Sequence, residues 1–173
     1  MEKKEIAVGD STKLEIIFST KKYKSRITKR PKIQTNEGPP DKYVQIITDV
    51  VTRPDSTYPI VIRPYKLDLS QFGEKVRDEV SFKITNVSDE KLKVSMISDY
   101  EDYFKVKLPK SISPGKTVEA KLKLNKESID KSFEKSFTVE LDDEKQTRFT
   151  IPVKRKLRPS GKPTAKTGAI GNK

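Results

Sequence analysis

Two clusters of cationic side chains are the residues best suited to chemistry in this sequence, and that chemistry is attraction of anions. The run from Lys21 to Lys32 holds Lys21, Lys22, Lys24, Arg26, Lys29, Arg30 and Lys32, with no acid among them. A second cluster, Lys154, Arg155, Lys156 and Arg158, leads into the C-terminal tail. Such runs suit electrostatic contact with nucleic acid, an anionic membrane surface or an acidic polymer. The plainer alternative is a solvated charged face plus a solubilising tail. Single-strand binding generally interleaves stacking rings with cations. Tyr23 is the lone aromatic of the first run and the tail has none, so specific nucleic-acid binding is the lesser reading.

Other chemistry is thinly supplied. Asp99-Tyr100-Glu101-Asp102 clusters carboxylates that could hold calcium. It lacks the glycine and ligand spacing of an EF-hand, so it reads as a solvated acidic loop. Asp142-Asp143-Glu144 reads as a hairpin turn. Gly168 to Lys173 lacks the spacing, strand and helix of a phosphate loop. Histidine and cysteine are absent from all 173 residues. That removes imidazole-based triads, thiolate metal sites and disulfides. No catalytic residue, cofactor or metal ligand is expected, and the chain reads as non-enzymatic.

The elements that must carry the cationic clusters are strands. Hydrophobic content is 32% and charged content 36%, lean for a globular core but suited to a thin sandwich with wet outer faces. The formal charge of +12 is uneven: residues 1–53 carry +5, 54–153 carry none and 154–173 carry +7. No apolar run approaches the ~20 residues a membrane helix needs, and no signal peptide is visible.

Leu14, Ile16 and Phe18 alternate with their neighbours, as in a half-buried strand. A strand ending at Thr35, the turn Asn36 to Asp41, and a strand over Tyr43 to Val51 follow. Residues 54–59, with two prolines, read as a stiff linker. Beyond it the second unit starts at Ile60-Val61-Ile62, and period-2 alternation marks Leu67 and Leu69, Val80 to Ile84, Leu92 to Met96, Phe104 to Leu108, Val118 to Leu124, Phe133 to Leu141 and Phe149 to Val153. Asn125 to Lys131 is polar enough to hold a short helical turn. Seven or eight strands in about a hundred residues, with a turn between each pair, predict an all-β, Ig-like β-sandwich over 60–157. Residues 158–173 carry too little apolar surface to offset ordering entropy and read as a basic disordered tail.

An internal repeat sets the architecture. Ile112-Ser-Pro-Gly-Lys-Thr-Val through Leu124 has a counterpart in Ile6-Ala-Val-Gly-Asp-Ser-Thr through Phe18, with Gly9 matching Gly115 at an offset of 106. The offset extends to Ile27 with Phe133 and to Ile33 with Val139; Ile46 matches Ile151 after a one-residue shift. Residues 1–53 thus read as the C-terminal half of a preceding tandem copy. Half a sandwich exposes an apolar face and an unpaired edge. Either the chain is a fragment of a longer protein, or a partner donates the missing strands by β-augmentation.

Leu67-Asp68-Leu69, Phe72-Gly73, the strand and Asn turn from Val80 to Val94, and Ile112-Ser113-Pro114-Gly115-Lys116 through Leu124 together resemble an ASH-type Ig-like domain. Its relatives are the major-sperm-protein group and bacterial Ig-like repeats of unknown function. The resemblance covers 60–157 and half a copy in 1–53. It implies a seven- or eight-stranded sandwich used for binding or as a spacer, without catalysis. Many bacterial relatives are exported, which leans localisation toward the cell surface. They carry a cysteine after the Asn-turn strand, where this chain has Met96-Ile97-Ser98-Asp99-Tyr100.

Two functional expectations follow. The first is a non-enzymatic structural or protein-interaction module, one repeat of a longer surface or scaffold protein. Its protein partner would pair at the sheet edge of the incomplete 1–53 unit, and self-association is open to it. The alternative is a basic nucleic-acid-associated protein using 21–32 and the tail.

Overall fold

A computed structural model of the chain describes residues 5–12, 14, 16, 18–20, 22–98 and 100–158. It divides into two compact units, Met1–Arg53 and Pro54–Lys173. Expectations for Lys21, Asp99 and the tail beyond Arg158 lie outside the described residues.

The first unit contains β1 (Ser25–Lys29), β2 (Lys32–Ile33), β3 (Lys42–Tyr43) and β4 (Ile46–Val50). β1 pairs antiparallel with β4, and β2 with β3, as one interrupted hairpin. The sequence predicts unbroken strands here. Pro31 breaks the first of them: it has no N–H to give to a ladder, while its carbonyl accepts from Val44 N at 3.1 Å.

The second unit contains β5 (Ile60–Arg63), β6 (Leu67–Asp68), β7 (Gln71–Phe72), β8 (Glu79–Asn86), β9 (Leu92–Ser98), β10 (Phe104–Lys107), β11 (Ser111–Ile112), β12 (Thr117–Leu124), β13 (Phe133–Leu141), β14 (Arg148–Arg155) and β15 (Leu157–Arg158). One sheet runs β10-β12-β8-β5, and the facing one β11-β9-β13-β14-β6. β7 and β15 pair parallel, extending the parallel β6–β14 contact. This is the expected all-β Ig-like sandwich. A 3₁₀ turn at Lys126–Ser128 fills the polar connection. Arg158, expected to open the tail, lies in β15 opposite Phe72, with its guanidinium 5.4 Å from that ring. Of the expected linker, Thr57 donates to Ile60 O and Pro59 O accepts from Val87 N, so its end is tied into the sandwich.

Alternation becomes packing through register. β12 sets Ala120 opposite Phe82 and Val118 opposite Ile84, a small side chain beside a large one. Phe82, Phe104, Phe133 and Phe137 form a chain of rings with centroids 5.9–6.3 Å apart. Of these, Phe82, Phe104 and Phe137 are fully buried, each contributing about 1.5–3 kcal/mol of transfer free energy. The buried hydrophobic residues run from Ile60 to Val153, so the core belongs wholly to the second unit. No described residue of the first unit is buried.

Candidate functional site

The cationic run lies on the first unit's hairpin. Ser25, Ile27 and Lys29 share one face with Val50, Thr48 and Ile46 opposite them. Arg26 and Thr28 share the other face with Asp49 and Ile47. The first face is mostly half-buried and the second is exposed, as the strand period requires. Tyr23 has two neighbours: Phe18 lies 5.5 Å from it, ring to ring, and Lys29 Nζ sits 4.6 Å from its centroid.

Two cations of the unit are matched by carboxylates. Lys32 pairs with Asp41, and Lys42 Nζ donates to Glu37 at 2.6 Å. That hydrogen bond, with the ammonium charge behind it, holds the Glu37 carboxyl below its ordinary range. Lys22, Lys24 and Arg30 are exposed and have no ion-pair partner among the described residues. Arg26 faces Asp49 across the ladder.

The hairpin's edges set this unit apart. In the second unit, β13 and β14 form the hairpin with which the sequence offset aligns it. It is flanked on one side by β9 over Thr138 to Leu141, and on the other by β6 at Val153 and Lys154. Among the described residues, β1 and β4 have only each other. The two hairpins differ in register by two residues. With Ile46 set on Ile151, Ser25 rather than Ile27 corresponds to Phe133. A slip of two keeps each side chain on its face. The preceding turn is shared closely: Asp10 N donates to Ala7 O at 3.0 Å, as Lys116 N donates to Ser113 O at 3.1 Å. Gly9 and Gly115 hold φ of +82° and +67° at the equivalent turn position, where a side chain would be strained.

The second cationic cluster does not form one surface. Lys156 and Arg158 are exposed and Lys154 is half-buried. Arg155, expected to contact an anionic partner, is instead fully buried. Its guanidinium donates to Leu69 O at 2.8 Å, Arg77 O at 2.9 Å, Gln71 Oε1 at 3.1 Å and twice to Ile129 O, at 3.1 and 2.5 Å. Burial lowers its pKa, opposed by the charges of Asp130 and Asp78. The signal was in the sequence. Period 2 puts residue 155 on the inward face with Ile151 and Val153, and the basic run around it masked that position.

Asn86 was legible only as a turn residue, yet it is buried at the corner of β8. Its amide donates to Glu90 O at 2.7 Å and Ile112 O at 2.9 Å, and its carbonyl accepts from Ser88 N at 2.9 Å and Ser88 Oγ at 2.7 Å. The acidic turn after β13 is structural too. Asp142 accepts from Lys93 N at 2.6 Å, and Asp143 accepts from Thr147 N at 2.7 Å. Among the described residues no group of three ligating side chains could hold a metal, and no helix is long and apolar enough to cross a membrane. Two open hollows, lined by Lys107, Leu108, Pro109, Glu119 and Lys121 and by Arg30, Tyr43 and Gln45, gather no set of catalytic groups.

No family model and no curated protein matches the chain. Solved structures with a similar fold include a protein of unknown function from Porphyromonas gingivalis W83, 14% identical, with a TM-score of 0.45 over 79% of this chain and 68% of that one. WR4, an MSP family member from C. elegans, is 14% identical, with a TM-score of 0.41 over 57% of this chain and 98% of that one. The CupB2 chaperone of Pseudomonas aeruginosa is 15% identical, with a TM-score of 0.38 over 58% of this chain and 56% of that one.

Proposed function

We propose that the chain is a non-catalytic Ig-like interaction module that takes a protein strand at the open edge of its first unit. The observation carrying this reading is the contrast between two hairpins. β13–β14 has a strand on each side, whereas β1–β4 has none among the described residues. An isolated two-stranded hairpin is marginal in water, and its edge N–H and C=O groups form a template for a further strand. Exposed apolar side chains lie on the same interrupted hairpin: Ile47 in β4 is 52% exposed and Tyr43 in β3 61%. The shared glycine turn supports reading the first unit as part of a second copy of the ASH-type sandwich. The absence of histidine and cysteine from the sequence supports a role without catalysis.

Hydrogen exchange on the dilute, monomeric full chain tests the reading. Amides of 25–29 and 46–50 should exchange about a thousandfold or more faster than those of 133–141, because only the latter share the stability of a packed core. Equal protection in a confirmed monomer would mean the edges are already filled, and the proposal would fall.

A further inference from the structure

We infer that the strand accepted at the outer edge of β1 is acidic: an extended protein segment with alternating apolar and carboxylate side chains. This rests on the edge-pairing reading above and specifies the partner.

Charge selects both the edge and the occupant. Lys24, Arg26, Lys29 and Arg30 lie on or beside β1, whereas β4 carries Asp49 and no cation. Lys32 and Lys42 are neutralised within the unit, but Lys24 and Arg30 find no carboxylate among the described residues. An antiparallel strand along β1 would set carboxylates beside the exposed Arg26–Thr28 face. Its apolar residues would lie beside Ser25, Ile27 and Lys29 and extend the half-buried face that Ile46, Thr48 and Val50 continue on β4. The same charge disfavours self-completion. The chain's own sequence beyond Arg158 carries three cations, Lys162, Lys166 and Lys173, and no acid, and would bring like charge to the edge. Antiparallel pairing of β1 with a second β1 would likewise juxtapose cations, and like charges directly opposite destabilise a ladder. A polynucleotide also matches the charge, but not the rest of the site. Tyr23, the one aromatic of the cationic run, already packs against Phe18 and Lys29, and single-strand sites interleave several rings with their cations.

The test uses the full chain and synthetic strand peptides of about eight residues, the length of an ordinary strand. One alternates Val with Glu, a second Val with Gln, a third Val with Lys; a fourth is the Val/Glu peptide with a central proline. Binding is read by fluorescence anisotropy at physiological salt, and location by exchange protection of 25–29. About three exposed charge pairs, each contributing a factor of about two, predict Val/Glu binding about tenfold tighter than Val/Gln. Val/Lys should bind more weakly still, and the proline peptide should give no protection. The double variant Lys24→Glu with Arg26→Glu should invert the preference toward Val/Lys, which a simple loss of folding would not do. Equal binding of Val/Glu and Val/Gln, with protection of 25–29, overturns the acidic specificity and leaves the edge reading standing. Binding of Val/Glu that tolerates proline and protects nothing overturns both. So does the absence of protection by any peptide. A single-stranded oligonucleotide that binds more tightly than Val/Glu and protects 22–32 overturns the inference in favour of nucleic acid.

Discussion

Arg155→Met tests whether a buried cation with no carboxylate in ion-pair range among the described residues stabilises the sandwich. The guanidinium makes five hydrogen bonds to four acceptors, three of them backbone carbonyls. Those carbonyls belong to Leu69 just after β6, to Arg77 before β8, and to Ile129 after the 3₁₀ turn. Methionine keeps most of the stem and removes every donor. Leu69 O, the most enclosed acceptor, loses its Arg155 partner, and each buried carbonyl left unsatisfied costs about 1–3 kcal/mol. Arg77 O and Ile129 O lie nearer the surface, where water can replace part of the loss. Relief of the guanidinium's own desolvation offsets some of the rest. A net loss of about 3 kcal/mol follows, or roughly 12–15 °C in Tm for a unit of this size.

The assay is calorimetric melting together with urea unfolding, in which the midpoint should fall at unchanged m-value. Exchange should localise the damage. Leu69 N and Gln71 N donate to Lys154 O at 2.8 Å and Lys156 O at 2.9 Å, and these amides should open first. Arg155→Lys sharpens the test, because it keeps the charge but replaces a planar fork with a point donor that cannot span four acceptors. It should be no more stable than the methionine variant. A methionine variant as stable as the parent, or more so, would refute the reasoning. The cage of carbonyls would then only compensate a charge the fold is better without, as replacement of buried ion pairs by apolar groups can show.

Asn86→Ala should cost about 2–4 kcal/mol, because it strips four hydrogen bonds from a fully buried corner. Asn86→Asp should cost at least as much at pH 7, since a carboxylate cannot donate to Glu90 O and Ile112 O; the deficit should shrink in acid as the group regains a proton to donate, read from urea midpoints across pH. Asp68 gives the opposite sign. Hydrogen bonding from the Ser70 side chain, then from its backbone N–H at 2.8 Å, with the charges of Lys154 and Arg77, holds the Asp68 carboxyl below its ordinary range against partial burial. Its contribution is therefore present above the unfolded carboxyl pKa of about 4 and is lost as pH falls through the lower folded value. Asp68→Asn should lose stability at pH 7 and converge on the parent below that window.

Most of the sandwich was legible because its strands are amphipathic on one period. Val80, Phe82 and Ile84 alternate in sequence, and Phe82 and Ile84 are buried against β12. The hairpin with Asp142 and Asp143 was equally plain from its turn residues. Hydrogen-bonded polar burial was not legible. Asn86 and Arg155 look like surface residues by type, and only the acceptors gathered around them from distant strands make their burial affordable. Those acceptors come from positions up to 86 residues away, as with Leu69 O for Arg155, a separation no local pattern records.

The limit of the pattern shows where it succeeded once and failed once. Ala120, Leu122 and Leu124 lie in β12, with exposures of 1%, 0% and 5%. Their counterparts at the same offset are Leu14, Ile16 and Phe18, equally alternating and more apolar than Ala120. Yet none of the described positions from 12 to 18 is in a strand, and Leu14 and Ile16 are 42% and 38% exposed. The glycine turn before them forms all the same, because a turn needs only its own four residues. A strand needs neighbours. β12 is held between β8 and β10 through eleven paired positions, and the first unit has no counterpart of either strand among its described residues. Alternation fixes which face a residue would bury, and pairing decides whether there is a strand to bury it. Among the described residues the first unit therefore shows the alternation without the ladders that turn it into a strand in β12.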